Sequence, residues 1–122
     1  GEVGCTERYI GGMDVAEARA MALQRTGVEE YEHFGKPAYR VAPKKAGGKP
    51  GRTFMTLWLD EGHVVLMLDQ ELQAQLLEED ERAYRPHPSK WGAKGATIAE
   101  LRQLSTACFT KAIDLAHRYA LR

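Results

Sequence analysis

The chain has little cysteine and no long apolar run. Its two cysteines, Cys5 and Cys108, are far apart, and no Cys-x-x-Cys pair occurs in the 122 residues. The sequence therefore predicts neither a disulfide framework nor a cysteine-rich zinc site, and we expect reduced thiols in a cytoplasmic protein. No segment approaches a run of about 18 apolar residues, so no transmembrane helix is predicted. The first residues also lack the basic-then-apolar order of a signal peptide.

Recognisable catalytic and metal-binding motifs are also absent from the sequence. The histidines, His33, His63, His87 and His117, are scattered, and no two have the i, i+4 spacing of a helical metal site. No glycine-rich phosphate-binding or dinucleotide-binding motif occurs. His33 could exchange protons near neutral pH, but no nucleophile stands at a diagnostic spacing, and a hydrogen bond at a turn is the simpler interpretation. We therefore predict no catalytic residue, no metal and no cofactor.

The formal net charge is zero, yet charges of opposite sign are separated along the chain. Residues 34–58 contain six basic residues and no acidic one, whereas residues 53–81 contain eight acidic residues and no basic one. Residues 82–99 again contain four basic residues and no acidic one. This pattern is typical both of a dipolar binding surface and of ordinary solvated loops and helix faces. The pI of about 7.1 lies well below the value of about 9 or more of a dedicated nucleic-acid-binding domain.

The length suits one domain with a modest core. Residues 1–12, with glycine clusters and no periodicity, are predicted to be a flexible tail, and residues 13–122 to form the single domain. Asp14 and Glu17 have the spacing of a capping box and predict a first helix that ends near residue 26. Asp69 predicts the start of a second helix, and Ser105 the start of a last helix that runs to about residue 121.

Short segments rich in aromatic and aliphatic residues predict strands at residues 28–34, 38–41, 53–59 and 63–68, with a fifth at 97–101. The acidic-Gly turn at residues 60–62 is a strong hairpin signal. In the strand before it, alternation places Phe54 and Trp58 on one face and Met55, Leu57 and Leu59 on the other. Residues 84–95 are predicted to be an irregular connector. Strands joined by hairpins predict an α+β fold, in which an antiparallel sheet of four to five strands has the N- and C-terminal helices packed on one face.

Three segments of the chain resemble a known family. Residues 27–41, GVEEYEHFGKPAYRV, crowd aromatic residues, a histidine and a Gly-Lys-Pro turn between two extended runs. The segments FMTLWLD at 54–60 and KWGAKG at 90–95 follow. In this order and at roughly these distances they resemble the MmcQ/YjbR family of small bacterial proteins. The resemblance covers nearly all of residues 13–121 and implies a frataxin-like (CyaY-like) sandwich, although the loop at 43–51 is atypical. The family carries a predicted DNA-binding label and is described as having a double-wing motif.

A flexible, acid-free loop is the main feature that predicts nucleic-acid binding. Residues 36–52 end in the segment KKAGGKPGR, and positive charges of this kind follow phosphates without reading base sequence. No helix combines basic residues with Asn or Gln in the way that major-groove recognition requires. We therefore predict weak, sequence-independent DNA binding through this loop and the connector at 84–95. The residues predicted to contact nucleic acid are Lys36, Arg40, Lys44, Lys45, Lys49, Arg52, Lys90 and Lys94.

Aromatic residues of the motif segments are candidates for a ligand cleft. The indole at position 91, beside two lysines, could stack on a base or anchor the connector to the fold. The alternative function is an interaction module without catalytic activity, for a protein or a small molecule. An enzyme is a third interpretation, from which no reaction class follows. Its cleft would lie between the sheet and the connector and contain His33, Tyr39, Trp58 and Lys94. We expect a monomer whose partner is DNA or a protein. The cleft candidates are His33, Phe34, Tyr39, Trp58 and Trp91.

Overall fold

The computed structural model describes residues 12–122. The predicted flexible tail, apart from its last residue, therefore lies outside the described residues, as does Cys5. The elements in chain order are α1 (Val15–Leu23), β1 (Val28–His33), β2 (Lys36–Val41), β3 (Thr53–Trp58), β4 (His63–Leu66), α2 (Gln70–Glu79), β5 (Tyr84–Pro86), α3 (Lys90–Lys94), β6 (Thr97–Glu100) and α4 (Thr106–Leu121).

The strands form one sheet in the order β1-β2-β3-β4-β6-β5. Every neighbouring pair is antiparallel, and the hairpin predicted at residues 60–62 joins β3 to β4. The predicted α+β class and antiparallel sheet are confirmed. The sheet has six strands, slightly more than the four to five predicted.

The additional strand lies in the segment that was predicted as irregular. β5 is three residues long and lies at the edge of the sheet, a position where Pro86 is tolerated because an edge strand needs fewer ladder hydrogen bonds. α3 follows, and Ser89 caps it by accepting a hydrogen bond from the backbone N–H of Trp91. The prediction of an irregular connector is wrong for β5 and α3, because the prolines at 86 and 88 argue against regular structure from sequence alone.

The helices α1, α2 and α4 pack on one face of the sheet, as predicted for the first and the last of them. Asp14 and Glu17 form both hydrogen bonds of the capping box at the start of α1. Ser105 accepts a hydrogen bond from the N–H of Cys108 and caps α4. The helices and the sheet share one apolar core, and the burial of its side chains stabilises the fold. Its members include Ala18, Ala22, Tyr39, Met55, Leu57, Leu66, Leu72, Leu76, Phe109 and Ile113.

A β-bulge changes the face on which Phe54 lies. Tyr39 pairs with Met55 and Arg40 with Thr53, so Phe54 is an extra residue in β3. Phe54 and Met55 are both fully buried in the helix-side core. The prediction that Phe54 shares a face with Trp58 is wrong, because the bulge interrupts the alternation on which the prediction depended.

The opposite face of the sheet is covered by no helix longer than α3 in the described part of the chain. A small apolar cluster of Val65, Ala96 and Ile98 lies there, with Trp58 and Met67 packed against it. Within residues 12–122 no helix is long and apolar enough to span a membrane. We call this side of the sheet the open face, and its residues include Tyr31, His33, Lys36, Arg40, Thr56, Trp58, His63, Val65, Met67, Arg85 and Ile98.

Candidate functional site

A groove with a volume of about 360 Å³ lies on the open face, where the β1–β2 turn, β3, β4 and α3 meet. Its walls are mainly aromatic and aliphatic, and neither Asp nor Glu is among the lining residues. A cleft of this size with a few polar groups is typical of a ligand site. We call this site the groove. Its lining residues are His33, Phe34, Lys36, Thr56, Trp58, Val65, Met67, His87, Trp91 and Ala96.

Trp58 is held within the groove by contacts on several sides. Its Nε1–H donates to Oγ1 of Thr56 at 3.0 Å, which satisfies the only polar group of the ring. The indole packs against His63 and His87, with ring centroids 5.6 and 5.7 Å away. The Nζ atom of Lys36 lies 4.3 Å from the indole centroid, in a cation–π contact. The ring is nevertheless only half-buried, so part of it is open to a ligand.

A tightly packed helix places Trp91 at the groove. A Cβ atom on Gly92 would lie 1.7 Å from the carbonyl oxygen of His87, so α3 approaches this backbone as closely as only glycine permits. Nε2 of Gln73, in α2, donates to the carbonyl oxygen of Gly92 at 3.0 Å. Trp91 itself is 55% exposed, with Nζ of Lys94 lying 5.1 Å from its centroid. Gly92 and Gln73 therefore anchor α3, and the indole is left exposed.

Phe34 occupies a strained position in the turn between β1 and β2. The turn consists of Phe34 and Gly35, whose φ angles of 51° and 79° follow the pattern of a type I′ turn. A bulky residue rarely adopts this left-handed conformation, which costs about 1–3 kcal/mol. Phe34 gains little burial in return, because its side chain is 88% exposed. A strained and exposed ring at the rim of a groove points to a functional role.

Two histidines of the groove differ in their hydrogen bonding. The Nδ1 atom of His87 accepts a hydrogen bond from the backbone N–H of Ser89 at 3.2 Å, so the neutral ring carries its proton on Nε2. His33 is exposed, and its ring lies 4.6 Å from that of Phe34, centroid to centroid. Nδ1 of His87 also lies 2.9 Å from Oγ of Ser89, but neither histidine has a carboxylate or second base among its described contacts to complete a catalytic group.

An ion pair with a neighbouring histidine lies beside the groove on the open face. Nη1 of Arg85 lies 2.7 Å from Oε2 of Glu100, and Nδ1 of His63 lies 3.8 Å from the same oxygen. Burial lowers the pKa of His63 below its usual value, and this effect exceeds the opposing attraction of Glu100. His63 is therefore uncharged at neutral pH and acts as a packing partner of Trp58.

Two predicted residues on β2 do not line the groove. Tyr39 is fully buried on the helix side of the sheet, where its hydroxyl donates to Oε2 of Glu30 at 2.6 Å. Burial, with a smaller contribution from this hydrogen bond, raises the pKa of Tyr39. Arg40 lies on the open face, but its Nε is 2.8 Å from a carboxylate oxygen of Glu29, and its guanidinium lies over Tyr31. The charge of Arg40 is therefore compensated within the protein.

The predicted basic residues separate into two groups at opposite ends of β2. One end carries Lys36, at the groove, and the other leads into the loop at residues 42–52. With six residues, β2 separates the two ends by about 17 Å at about 3.3 Å per residue. Arg52, at the end of the loop, donates to the carbonyl oxygen of Tyr119 in α4. The exposed lysines of the loop are Lys44, Lys45 and Lys49.

Several groove residues were not identified from the sequence. Thr56 lies two residues before Trp58 in β3 and pairs with Val65 of β4. Strand alternation together with the hairpin pairing would therefore have predicted that both residues share the face of Trp58. His87 had no comparable indication, because its position depends on β5 and α3. The groove therefore contains four of the five cleft candidates, all except Tyr39, together with residues that only the pairing of strands brings to them.

A second cavity, of about 430 Å³, lies between α1 and α4 on the helix side. Arg25 lines it, but its guanidinium donates to Nδ1 of His117 at 2.7 Å and also binds Asp114. Nε2 of His117 has no hydrogen-bond partner among the described atoms, but it is buried, and the ring packs 5.1 Å from Phe54. The charged and ionisable groups of this cavity, Arg25 and His117, are matched or inaccessible, so the groove is the stronger candidate despite its smaller volume.

Within the described residues, no group of three or more His, Cys, Asp or Glu is arranged to hold a metal ion. No family model, curated protein or solved structure matches the chain. The geometry of the groove is therefore the basis for a functional assignment.

Proposed function

We propose that the protein binds nucleic acid weakly and without sequence preference, through the groove and the basic loop at residues 42–52. The observation that carries this proposal is the lining of the groove, which combines two indole rings, a lysine over each of them, and no carboxylate. Aromatic faces and available cations are the groups with which proteins bind nucleic-acid chains independently of sequence.

Uncompensated lysines support the same ligand class. Of the eight predicted contact residues, only Arg40 forms an ion pair with a described residue, and Arg52 donates a hydrogen bond to α4, so six lysines remain without such a partner. Lysines of this kind bind phosphates by releasing counterions, so affinity depends on salt rather than on base sequence. The six lysines are Lys36, Lys44, Lys45, Lys49, Lys90 and Lys94.

Two further considerations concern strength and class. The formal net charge of zero provides no long-range attraction for a polyanion, so affinity depends on local contacts and is expected to be low. The resemblance of the motif segments to the MmcQ/YjbR family, whose members carry a predicted DNA-binding label, favours the same class of ligand. We propose membership of that family on the same residues.

A small aromatic anion is the second candidate ligand. The groove, with a volume of about 360 Å³, is within the range of small-molecule sites, and Lys36 and Lys94 would contact the anionic group. If a free nucleotide competes with a bound oligonucleotide only at millimolar concentration, the nucleic-acid chain is favoured as the ligand. Competition at micromolar concentration favours the small molecule.

The proposed function is tested by fluorescence anisotropy of labelled DNA over a range of salt concentrations. Three variants each remove three positive charges, so their net charge is identical. The groove variant carries Lys36→Gln, Lys90→Gln and Lys94→Gln, and the loop variant carries Lys44→Gln, Lys45→Gln and Lys49→Gln. The matched control carries Arg82→Gln, Arg102→Gln and Lys111→Gln, at exposed positions that form no ion pair with described residues.

The groove and loop variants are expected to bind every DNA sequence more weakly than the control. If three phosphate contacts are lost, the slope of log K against log [salt] becomes shallower by about 2 for single strands. Absence of binding by the unaltered protein at high micromolar concentration contradicts the proposal. Equal losses in all three variants would also contradict it, because affinity would then depend on net charge alone.

A further inference from the structure

We infer that the ligand of the groove is single-stranded nucleic acid whose unstacked bases lie against the aromatic rings. This inference rests on the proposed function and specifies its substrate. A phosphate surface needs only exposed cations, and the loop at 42–52 already supplies them. The groove has in addition a set of rings with accessible faces, a feature that phosphates do not explain.

The rings of the groove form two contacting pairs on the open face, with a fifth ring beside them. The ring of Trp58 lies 5.7 Å from that of His87, and the ring of His33 lies 4.6 Å from that of Phe34. Trp91 lines the same groove from α3 and is more than half exposed. An antiparallel sheet that presents aromatic rings on an uncovered face is the surface on which unpaired bases stack in other folds.

The concave shape discriminates between single strands and duplexes. Trp58 belongs to the sheet and Trp91 to α3, so a ligand that contacts both indoles must enter the space between these elements. The bases of a duplex are stacked on one another, and its outer surface presents phosphates and sugars. A duplex would therefore contact the lysines at the rim without filling the groove.

The conformation of Phe34 favours the same ligand. Asn or Gly would form this turn with less strain, and burial does not compensate Phe34, since the ring is 88% exposed. A phosphate group forms no favourable contact with an uncharged phenyl ring. A nucleic-acid base does form such a contact, because its face can stack on the ring.

The charges around the groove indicate where the phosphate chain passes. Asp60 and Glu61, in the β3–β4 turn, line a neighbouring cavity together with Lys36 and Trp58. Their carboxylates repel phosphates from that side. Lys94 lies at Trp91 on the other side, where none of the lining residues is acidic. We place most of the phosphates along α3, a single phosphate at Lys36, and the bases in the groove.

Intrinsic fluorescence reports this site directly, because both tryptophans of the chain, Trp58 and Trp91, line the groove. The test is a titration of the unaltered protein with three ligands. These are a short oligothymidylate, an abasic oligonucleotide of the same length, and a duplex with the same number of phosphates. Anisotropy measures binding, and tryptophan emission measures contact with the rings.

Oligothymidylate is expected to bind and quench tryptophan emission. The abasic chain is expected to bind roughly 5- to 150-fold more weakly per stacked base lost, without quenching. Equal binding of the oligothymidylate and the abasic chain, or binding without quenching, overturns base stacking and leaves the phosphate contacts of the proposed function intact. Failure of all three ligands to bind overturns both.

A pair of variants confirms the location. Trp91→Ala removes an exposed ring, and Leu121→Ala, in α4, removes a side chain of similar exposure outside the groove. Both are expected to retain the circular dichroism spectrum of the unaltered protein. Trp91→Ala should lose at least about 5-fold in affinity for oligothymidylate and none for the abasic chain. Equal affinities of the two variants for oligothymidylate would overturn the inference.

Discussion

The ammonium group of Lys36 lies 4.3 Å from the centroid of the Trp58 indole. Lys36 begins β2 and Trp58 ends β3, so the contact forms at one end of the sheet, between strands that are paired. A base that stacks on this part of the indole displaces the ammonium group, which is then available to a phosphate. The same contact keeps the lysine near the groove in the absence of ligand.

The strain in the β1–β2 turn leads to a prediction in which stability and binding change in opposite directions. Phe34→Asn is expected to raise the free energy of unfolding by about 1 kcal/mol, because Asn is favoured at this turn position. The same change removes a ring from the groove and should weaken binding of single-stranded DNA. Urea unfolding and anisotropy measure the two effects. Phe34→Leu, which keeps the strain and loses the ring, is the control, and a Phe34→Asn variant that is less stable than the unaltered protein would contradict the prediction.

The close approach of α3 to the backbone predicts that Gly92 tolerates no side chain. In Gly92→Ala the new methyl group would lie 1.7 Å from the carbonyl oxygen of His87, and backbone cannot move aside as a flexible side chain does. We expect a loss of about 1–3 kcal/mol in the free energy of unfolding and a displacement of Trp91 that shifts its emission. Ala93→Ser, at an exposed position of the same helix, should change stability by less than about 0.5 kcal/mol. Similar stabilities of the two variants would show that α3 is not packed in this way.

The acidic turn beside the groove is predicted to limit affinity. Asp60→Asn together with Glu61→Gln should tighten binding of single-stranded DNA at low salt, and the difference should shrink as salt screens the charges. The control is Glu78→Gln with Glu81→Gln, which removes two negative charges from exposed positions away from the groove. Anisotropy titrations at low and high salt compare them. If both double variants gain the same affinity for single-stranded DNA, the effect reflects net charge and not the position of the turn.

Two buried histidines predict a loss of stability in acid. Burial lowers the pKa of His63 and of His117 below the usual value of 6.5 for histidine. Both groups bind protons more readily in the unfolded chain, so their contribution is present above about pH 6.5 and is lost as the pH falls below it towards their folded-state pKa values. Each histidine can lower the free energy of unfolding by at most about 1.4 kcal/mol per pH unit. Urea unfolding at about pH 7.5 and about pH 5.5 tests this, and His63→Gln and His117→Gln should each reduce the difference.

Rules that depend only on neighbouring residues were sufficient to predict most of the helices and strands. Asp14 with Glu17, Asp69 and Ser105 each cap the helix that their spacing predicts, because a cap depends only on residues within one turn. The β3–β4 hairpin follows in the same way from the composition of its turn. The bulge at Phe54 could not be predicted, because it depends on which residues of β2 pair with β3.

The groove could be predicted only in part, because it combines segments that are far apart in the chain. Phe34, Trp58 and Trp91 were identified as candidates from their surroundings in sequence. Tyr39 was placed with them, although it lies on the other face of the sheet from Trp58. The division of the basic residues between the two ends of β2 also depends on strand direction, which composition does not reveal.

The most direct test of the account is the heteronuclear NMR spectrum of the protein during titration with oligothymidylate. Its two indole N–H signals, from Trp58 and Trp91, both belong to the groove. The account predicts that both signals shift, together with amide signals of the β1–β2 turn, the ends of β3 and β4, and α3. Amides on the outer surfaces of α1 and α4 should not shift. Shifts confined to α1 and α4, or unchanged indole signals in the presence of bound DNA, would contradict the assignment of the groove as the nucleic-acid site.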